Sequence, residues 1–227
     1  MKDIQSLLKQ LDIDYKDISL YTLAFTHPSC NLEANTKDHD YDKLEFMGDA
    51  VLDFVSADLI YKLKPEFNEG LSSKLRSYIV KTDALASFAN SINLAEYILI
   101  GKSVNRSSLN NTPKILENVF EALVGAIYLD LGFDRAYKFL ESFLKNKIMS
   151  TDEYDLTDPK SRLQEEMQAE YREAVHYEVI SEEGPAHDKT FSVQVMFNDI
   201  VLAKGTGKSK RKAEEDAAKN ALAKRSV

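Results

Sequence analysis

YDKLEFMGDAVLD, Tyr41 to Asp53, places four carboxylates inside one of the most apolar parts of the chain. Read as a helix, Asp42, Glu45, Asp49 and Asp53 follow at steps of three, four and four and so line one face. Around them Leu44, Phe46, Met47, Ala50, Val51, Leu52, Phe54 and Val55 leave little of the circumference polar. Ionised carboxylates in such surroundings raise their pKa, find cationic partners or hold a metal. No Lys or Arg stands between Asp49 and Asp58, so pairing along the helix does not answer for Asp49 and Asp53. A metal is the sharper expectation and a solvated acidic face the blander one.

A second stretch repeats the anomaly. KILENVFEALVGAIYLD, Lys114 to Asp130, sets Glu117, Asn118 and Glu121 among Ile115, Leu116, Val119, Phe120, Leu123, Val124 and Ile127. One acidic pair on a helix usually marks a solvated face, but two such helices in one region weaken that explanation. Gly48 and Gly125, one in each, cost roughly 1 kcal/mol relative to Ala and are expected to let the helices approach closely. Residues 1–145 otherwise read as helix after helix, over 2–11, 18–26, 40–63, 70–100 with a break, 113–130 and 134–148. FTHPSC, Phe25 to Cys30, is expected to stop a helix at Pro28. Thr112-Pro113 suits a helix start with proline at the first helical position. An all-α domain follows. Ser29 beside His27 is read as packing or capping rather than as a nucleophile pair, because sequence neighbours do not make triad geometry.

Lys147 to Thr157 loses the apolar periodicity and reads as a linker. Asp158-Pro159 then opens a helix ending near Tyr171. From His176 the period changes: HYEVISEEG, TFSVQVMFN and IVLAKGTG read as three strands of an antiparallel meander, with turn signals at Gly184-Pro185 and Asn198-Asp199. A last helix, Ser209 to Lys224, completes an α+β module.

With 44% hydrophobic and 29% charged residues, the 227-residue chain belongs to the folded rather than the disordered class. No apolar run reaches about 18 residues, and MKDIQSLLKQLDIDY reads as a short amphipathic helix rather than a signal peptide, so a cytoplasmic protein with no membrane partner is expected. A single cysteine, Cys30, excludes an internal disulfide, and four scattered histidines lack zinc-ligand spacing, which leaves a hard, oxygen-liganded metal. The net charge of -8 argues against nucleic acid only on average. Lys204, Lys208, Lys210, Arg211 and Lys212 form a run without an acid from Ala203 to Ala213, and that local patch is what a phosphate would feel.

LEFMGDAVL at Leu44–Leu52, FTHPS at Phe25–Ser29, EGLSSKLRSYIV at Glu69–Val80 and EALVGAIYLD at Glu121–Asp130 resemble, in this order, the segments of bacterial ribonuclease III. GPAHDK at Gly184–Lys189 and GTGKSKRKAEEDAA at Gly205–Ala218 are similar to double-stranded RNA-binding domains. The resemblance covers essentially the whole chain. It implies a multidomain α and α+β protein: an all-α ribonuclease III endonuclease domain at 1–148, a linker at 149–157 and an α-β-β-β-α double-stranded RNA-binding domain at 158–227.

It also implies Glu45, Asp49 and Glu121 as ligands of a divalent metal, with Asn118 completing the set where the family usually has aspartate. Asp42, in place of the usual glutamate, joins Asp49 and Glu121 as a catalytic residue, and Glu69 aligns with another acid of the cleavage valley. The implied cofactor is Mg2+, with Mn2+ able to substitute. Such an ion can supply nucleophile activation, charge neutralisation and leaving-group stabilisation for phosphodiester hydrolysis. For the duplex, whose grooves are gripped by shape and phosphate contacts, Lys208, Lys210 and Arg211 would clamp the backbone with Ser209 as N-cap. Gln164 and His187 would reach minor grooves. The implied assembly is a homodimer that leaves 5′-phosphate ends and short 3′ overhangs, acting on ribosomal and messenger RNA precursors. A non-catalytic dimeric double-stranded RNA-binding regulator is the alternative that Asn118 suggests, and retention of Glu45, Asp49 and Glu121 argues against it.

Overall fold

The computed structural model describes residues 2–34, 39–102, 104–106, 109, 112–185 and 188–225. It falls into two compact units that divide in sequence between Asp152 and Glu153. The first unit is helical: α1 (Ile4–Gln10), α2 (Ile18–Ala24), α3 (Ser29–Ala34), α4 (Asp42–Leu63), α5 (Glu69–Ile79), α6 (Thr82–Ser91), a 3-10 turn at Leu94–Glu96, α7 (Pro113–Leu131) and α8 (Phe133–Ser150). Caps mark several starts: Asp3, Asp17 and Asn68 each accept a hydrogen bond from the backbone N–H two or three residues on. Pro113 opens α7, as its fixed φ favours.

The core of this unit is built around α7, where Leu116, Val119, Phe120, Leu123, Val124 and Ile127 are wholly buried. Leu44, Leu52, Val55, Leu59 and Ile60 of α4 pack on one side of it. Phe120 meets Phe88 of α6 and Phe139 and Phe143 of α8 with ring centroids 5.4–6.0 Å apart, which settles Phe120 and Phe139 as core. Asp130, near the C-terminus of α7, accepts from the backbone of Lys16 and Asp17 and from the Tyr21 hydroxyl, at 2.8, 3.0 and 3.0 Å, and so fastens the start of α2.

Two local expectations are corrected. The helix before FTHPSC ends at Ala24, ahead of Pro28, and the proline instead leads into α3. Its cause is tertiary: Phe25 is wholly buried, and Leu99 N–H donates to Phe25 C=O at 2.7 Å while His27 N–H donates to Leu99 C=O at 2.9 Å. At the other end α8 runs on to Ser150 because Ile148 is wholly buried, and a short helix, α9 (Glu153–Leu156), forms within the stretch read as linker.

The second unit contains α9, α10 (Pro159–Tyr171), β1 (His176–Glu183), β2 (Thr190–Phe197), β3 (Ile200–Gly207) and α11 (Lys210–Arg225). The sheet is antiparallel in the order β1-β2-β3. Asn198 and Asp199, with φ of 45° and 63°, make the two-residue hairpin between β2 and β3. Leu163 and Met167 of α10, Val195 and Ala203 of the sheet, and Ala217, Ala218, Ala221 and Leu222 of α11 form its core.

Candidate active site and nucleic-acid interface

The glycines of the two acidic helices lie where α4 and α7 touch. A Cβ on Gly48 would stand 1.8 Å from the Glu121 carbonyl oxygen, and one on Gly125 would stand 2.2 Å from the Leu44 carbonyl oxygen. Backbone thus meets backbone, and the acids of α4 are brought against those of α7.

Glu121 is 6% exposed, Glu45 and Asn118 are half-buried, and Asp42 and Asp49 are exposed. The acidic face of α4 is therefore wetter than its sequence suggests, while Phe46, Phe54 and Tyr61 of the same helix stand out in solvent. Burial, then the nearby Glu117, Asp49 and Glu45, push the Glu121 carboxyl up to about 8. Burial also raises Glu45, whose neighbours include Asp42, Glu117 and Asp49. Asp49 is raised by burial and by Asp53, against the pull of Lys114. Asp53 is itself exposed.

Asn118 is hydrogen-bonded to the Tyr41 hydroxyl, yet its Oδ1 is buried with no hydrogen-bond partner. An acceptor left in that state costs about 1–3 kcal/mol. A hard cation beside it would remove the penalty, so the donor set of Glu45, Asp49, Glu121 and the Asn118 oxygen fits a divalent ion. Among the described residues no three His, Cys, Asp or Glu side chains already close on one point. Mutual repulsion opposes such convergence, and Lys114, 3.0 Å from Glu117 Oε2, takes up part of the charge.

Glu117 and Lys114 are thus part of this electrostatic cluster, although sequence reasoning assigned them no role. The hints were that Glu117 stands in an apolar run and lies four residues before Glu121. Glu69 starts α5, accepts from the Ser73 hydroxyl at 3.0 Å and lines a groove with Ala57, Ile60, Tyr61 and Phe67. Ser29 is structural: its buried Oγ accepts from Gly101 N–H at 2.8 Å and lies 2.9 Å from His27 Nδ1.

In the second unit Ser209 caps α11, its Oγ accepting from Lys212 N–H at 3.2 Å. Lys208, Lys210 and Arg211 are exposed and each meets an acid: Asp188 at 2.7 Å, Glu182 at 3.2 Å and Glu215 at 2.8 Å. Gln164 is half-buried, its Oε1 accepting from Val175 N–H and its Nε2 donating to Gln168. His187 lies outside the described residues. Gly205 and Gly207 lie at the end of β3. A Cβ there would strike Ala217 N at 2.1 Å or Ala213 N at 2.6 Å, so these glycines let α11 lie on the sheet.

A helical unit with opposed carboxylates, followed by a helix-on-sheet unit with exposed lysines at a capped helix start, defines a two-part nucleic-acid enzyme. Residues 17–148 match the family model described as ribonuclease-III-like, and residues 159–225 match the double-stranded RNA binding motif. Over 225 residues the chain is 40% identical to Ribonuclease 3 of Streptococcus pyogenes serotype M1, covering 98% of each. A solved nuclease domain of ribonuclease III from Campylobacter jejuni is 34% identical, with a TM-score of 0.59, and spans 67% of this chain and 100% of that one. A second from the same organism, described for structural flexibility in its dimer-forming region, is 33% identical, with a TM-score of 0.57, and spans 63% of this chain and 99% of that one. The chain belongs to the ribonuclease III family, and is an endoribonuclease for double-stranded RNA. The family implies a divalent-metal cofactor. No helix among the described residues is long and apolar enough to cross a membrane.

Proposed function

We propose that this chain hydrolyses duplex RNA with Mg2+ held by Glu45, Asp49, Asn118 and Glu121, leaving 5′-phosphate ends and short 3′ overhangs. The buried, unpartnered Asn118 Oδ1 between two carboxylate-bearing helices is the observation that carries the reading. Mg2+, when bound, supplies water activation, phosphate neutralisation and leaving-group stabilisation, and Mn2+ serves the same chemistry. The Tyr41 hydroxyl engages the Asn118 amide and so orients its oxygen. Glu121 keeps a proton near neutral pH in the ion-free chain and must release it to act as a ligand. Asp42, exposed at the start of α4, completes the catalytic set with Asp49 and Glu121.

The double-stranded RNA-binding domain, residues 158–227 with 149–157 as the joint, grips the substrate. Lys208, Lys210 and Arg211 exchange their acidic partners for phosphates, and Gln164 and His187 serve the minor grooves. Two cuts across a duplex call for two sites, and the working form is a homodimer. Phe46 and Tyr61, 76% and 82% exposed on α4, and the groove beside Glu69 support that assembly. Cytoplasmic precursors of ribosomal and messenger RNA are the proposed substrates. The test is incubation of a plain RNA duplex with Mg2+ and with EDTA. Cleavage only with Mg2+, ending in 5′-phosphates, is expected; binding without cleavage in either condition would instead favour a non-catalytic regulator.

A further inference from the structure

Glu117 lies one turn before Glu121 and next to Asn118 on α7, and no motif gives it a part. Its carboxyl is held within the fold: the side chain is 10% exposed, the Thr82 hydroxyl of α6 donates to Oε1 at 3.3 Å, and Lys114 Nζ stands 3.0 Å from Oε2. That last contact pairs Oε2 with Lys114, whereas Asn118 Oδ1, on the next residue of α7, is buried with no hydrogen-bond partner. Burying a carboxylate against other acids is costly. Pairing with Lys114, whose side chain is 65% exposed, would not require it, since that pair forms as well at the surface.

What position 118 lacks is charge, because an amide oxygen coordinates a cation without neutralising it. Resting on the reading of α4 and α7 as a divalent-ion site, we infer that Glu117 supplies the negative charge that Asn118 does not, with Lys114 as its counter-cation while the divalent ion is absent. Thr82 then acts as a positioning residue, holding one carboxyl oxygen and leaving the other for the cation. This chain would have moved a charge by one residue along α7 rather than lost it.

The test is calorimetric titration of the full chain with Mn2+, without RNA. Glu117→Gln should weaken Mn2+ binding by about tenfold or more, and adding Asn118→Asp to that variant should restore it. Lys114→Met, which removes the competing cation, should tighten binding severalfold. Glu121→Gln serves as the control for the site itself. Wild-type affinity in Glu117→Gln together with lost binding in Glu121→Gln would overturn the role of Glu117 and leave the site standing. Wild-type affinity in both would overturn the site and this inference with it. Melting in EDTA checks the fold, and Glu117→Gln should melt no lower than the wild type. Should it melt lower, Lys114→Met decides, and an unchanged Mn2+ affinity there overturns the assignment.

Discussion

Gly48→Ala is the sharpest perturbation of the site that touches none of its functional groups. The new Cβ would lie 1.8 Å from the Glu121 carbonyl oxygen, 2.6 Å from its carbon and 2.9 Å from Gly125 N, where ordinary contact begins at 3.4 Å. All three atoms are backbone, so no rotamer change relieves the clash. The helices must part by about 1.6 Å, the difference between 3.4 and 1.8 Å, and they part at the residue that carries Glu121. Overpacking of this kind costs about 1–3 kcal/mol or more. At roughly 2–4 °C per kcal/mol for a chain of this size, the melting temperature should fall by several degrees. Misplacing reacting groups by about 1 Å costs on the order of 100-fold in rate, so kcat/KM on a short RNA duplex should drop by about that factor. Gly70→Ala is the control, since its Cβ would meet only Asn68 Oδ1 at 3.5 Å. Wild-type melting and wild-type kcat/KM in Gly48→Ala would refute the close approach as the device that assembles the site.

Other consequences can be measured directly. Glu121→Gln should abolish Mg2+-dependent cleavage while RNA binding, measured by filter retention, stays within about twofold; retained cleavage would sink the ligand assignment. The folded chain holds a proton on Glu121 between its ordinary value of 4.5 and about 8 that the unfolded chain releases, so this group's contribution to ion-free stability is greatest below 4.5 and falls as pH rises through about 8. A divalent ion must displace the same proton, so apparent Mg2+ affinity should climb with pH and level off above about 8; a flat titration series between about pH 6 and about pH 9 would contradict this. Lys210→Ala should weaken duplex binding and lower the salt slope by about one, whereas an unchanged slope would remove Lys210 from the phosphate contacts.

Periodicity made most of the secondary structure legible. The apolar spacing of 40–63 and 113–130, the change of period from His176 and the Asp158-Pro159 helix start are local properties, and the helices and strands lie within a few residues of where those signals put them. The acids of both helices were legible too, because a carboxylate in an apolar run violates a local rule.

Only the tertiary structure decided which acids share a site and which do not. Asp130 reads like its neighbours in the same motif, yet it is spent on the α2 backbone, while Glu117, legible as an acid in an apolar run but given no role in the site, faces the cluster. The wetness of Asp49 and the exposure of Phe46 follow from which side of α4 meets α7, and helix period alone does not choose between two apolar sides. Gly205 and Gly207 read simply as the end of a strand, and only the tertiary structure shows that α11 overlies them. The residues of one chain set the faces of each element, and the distances between elements, on which charge coupling and close packing both depend, arise only when those faces meet.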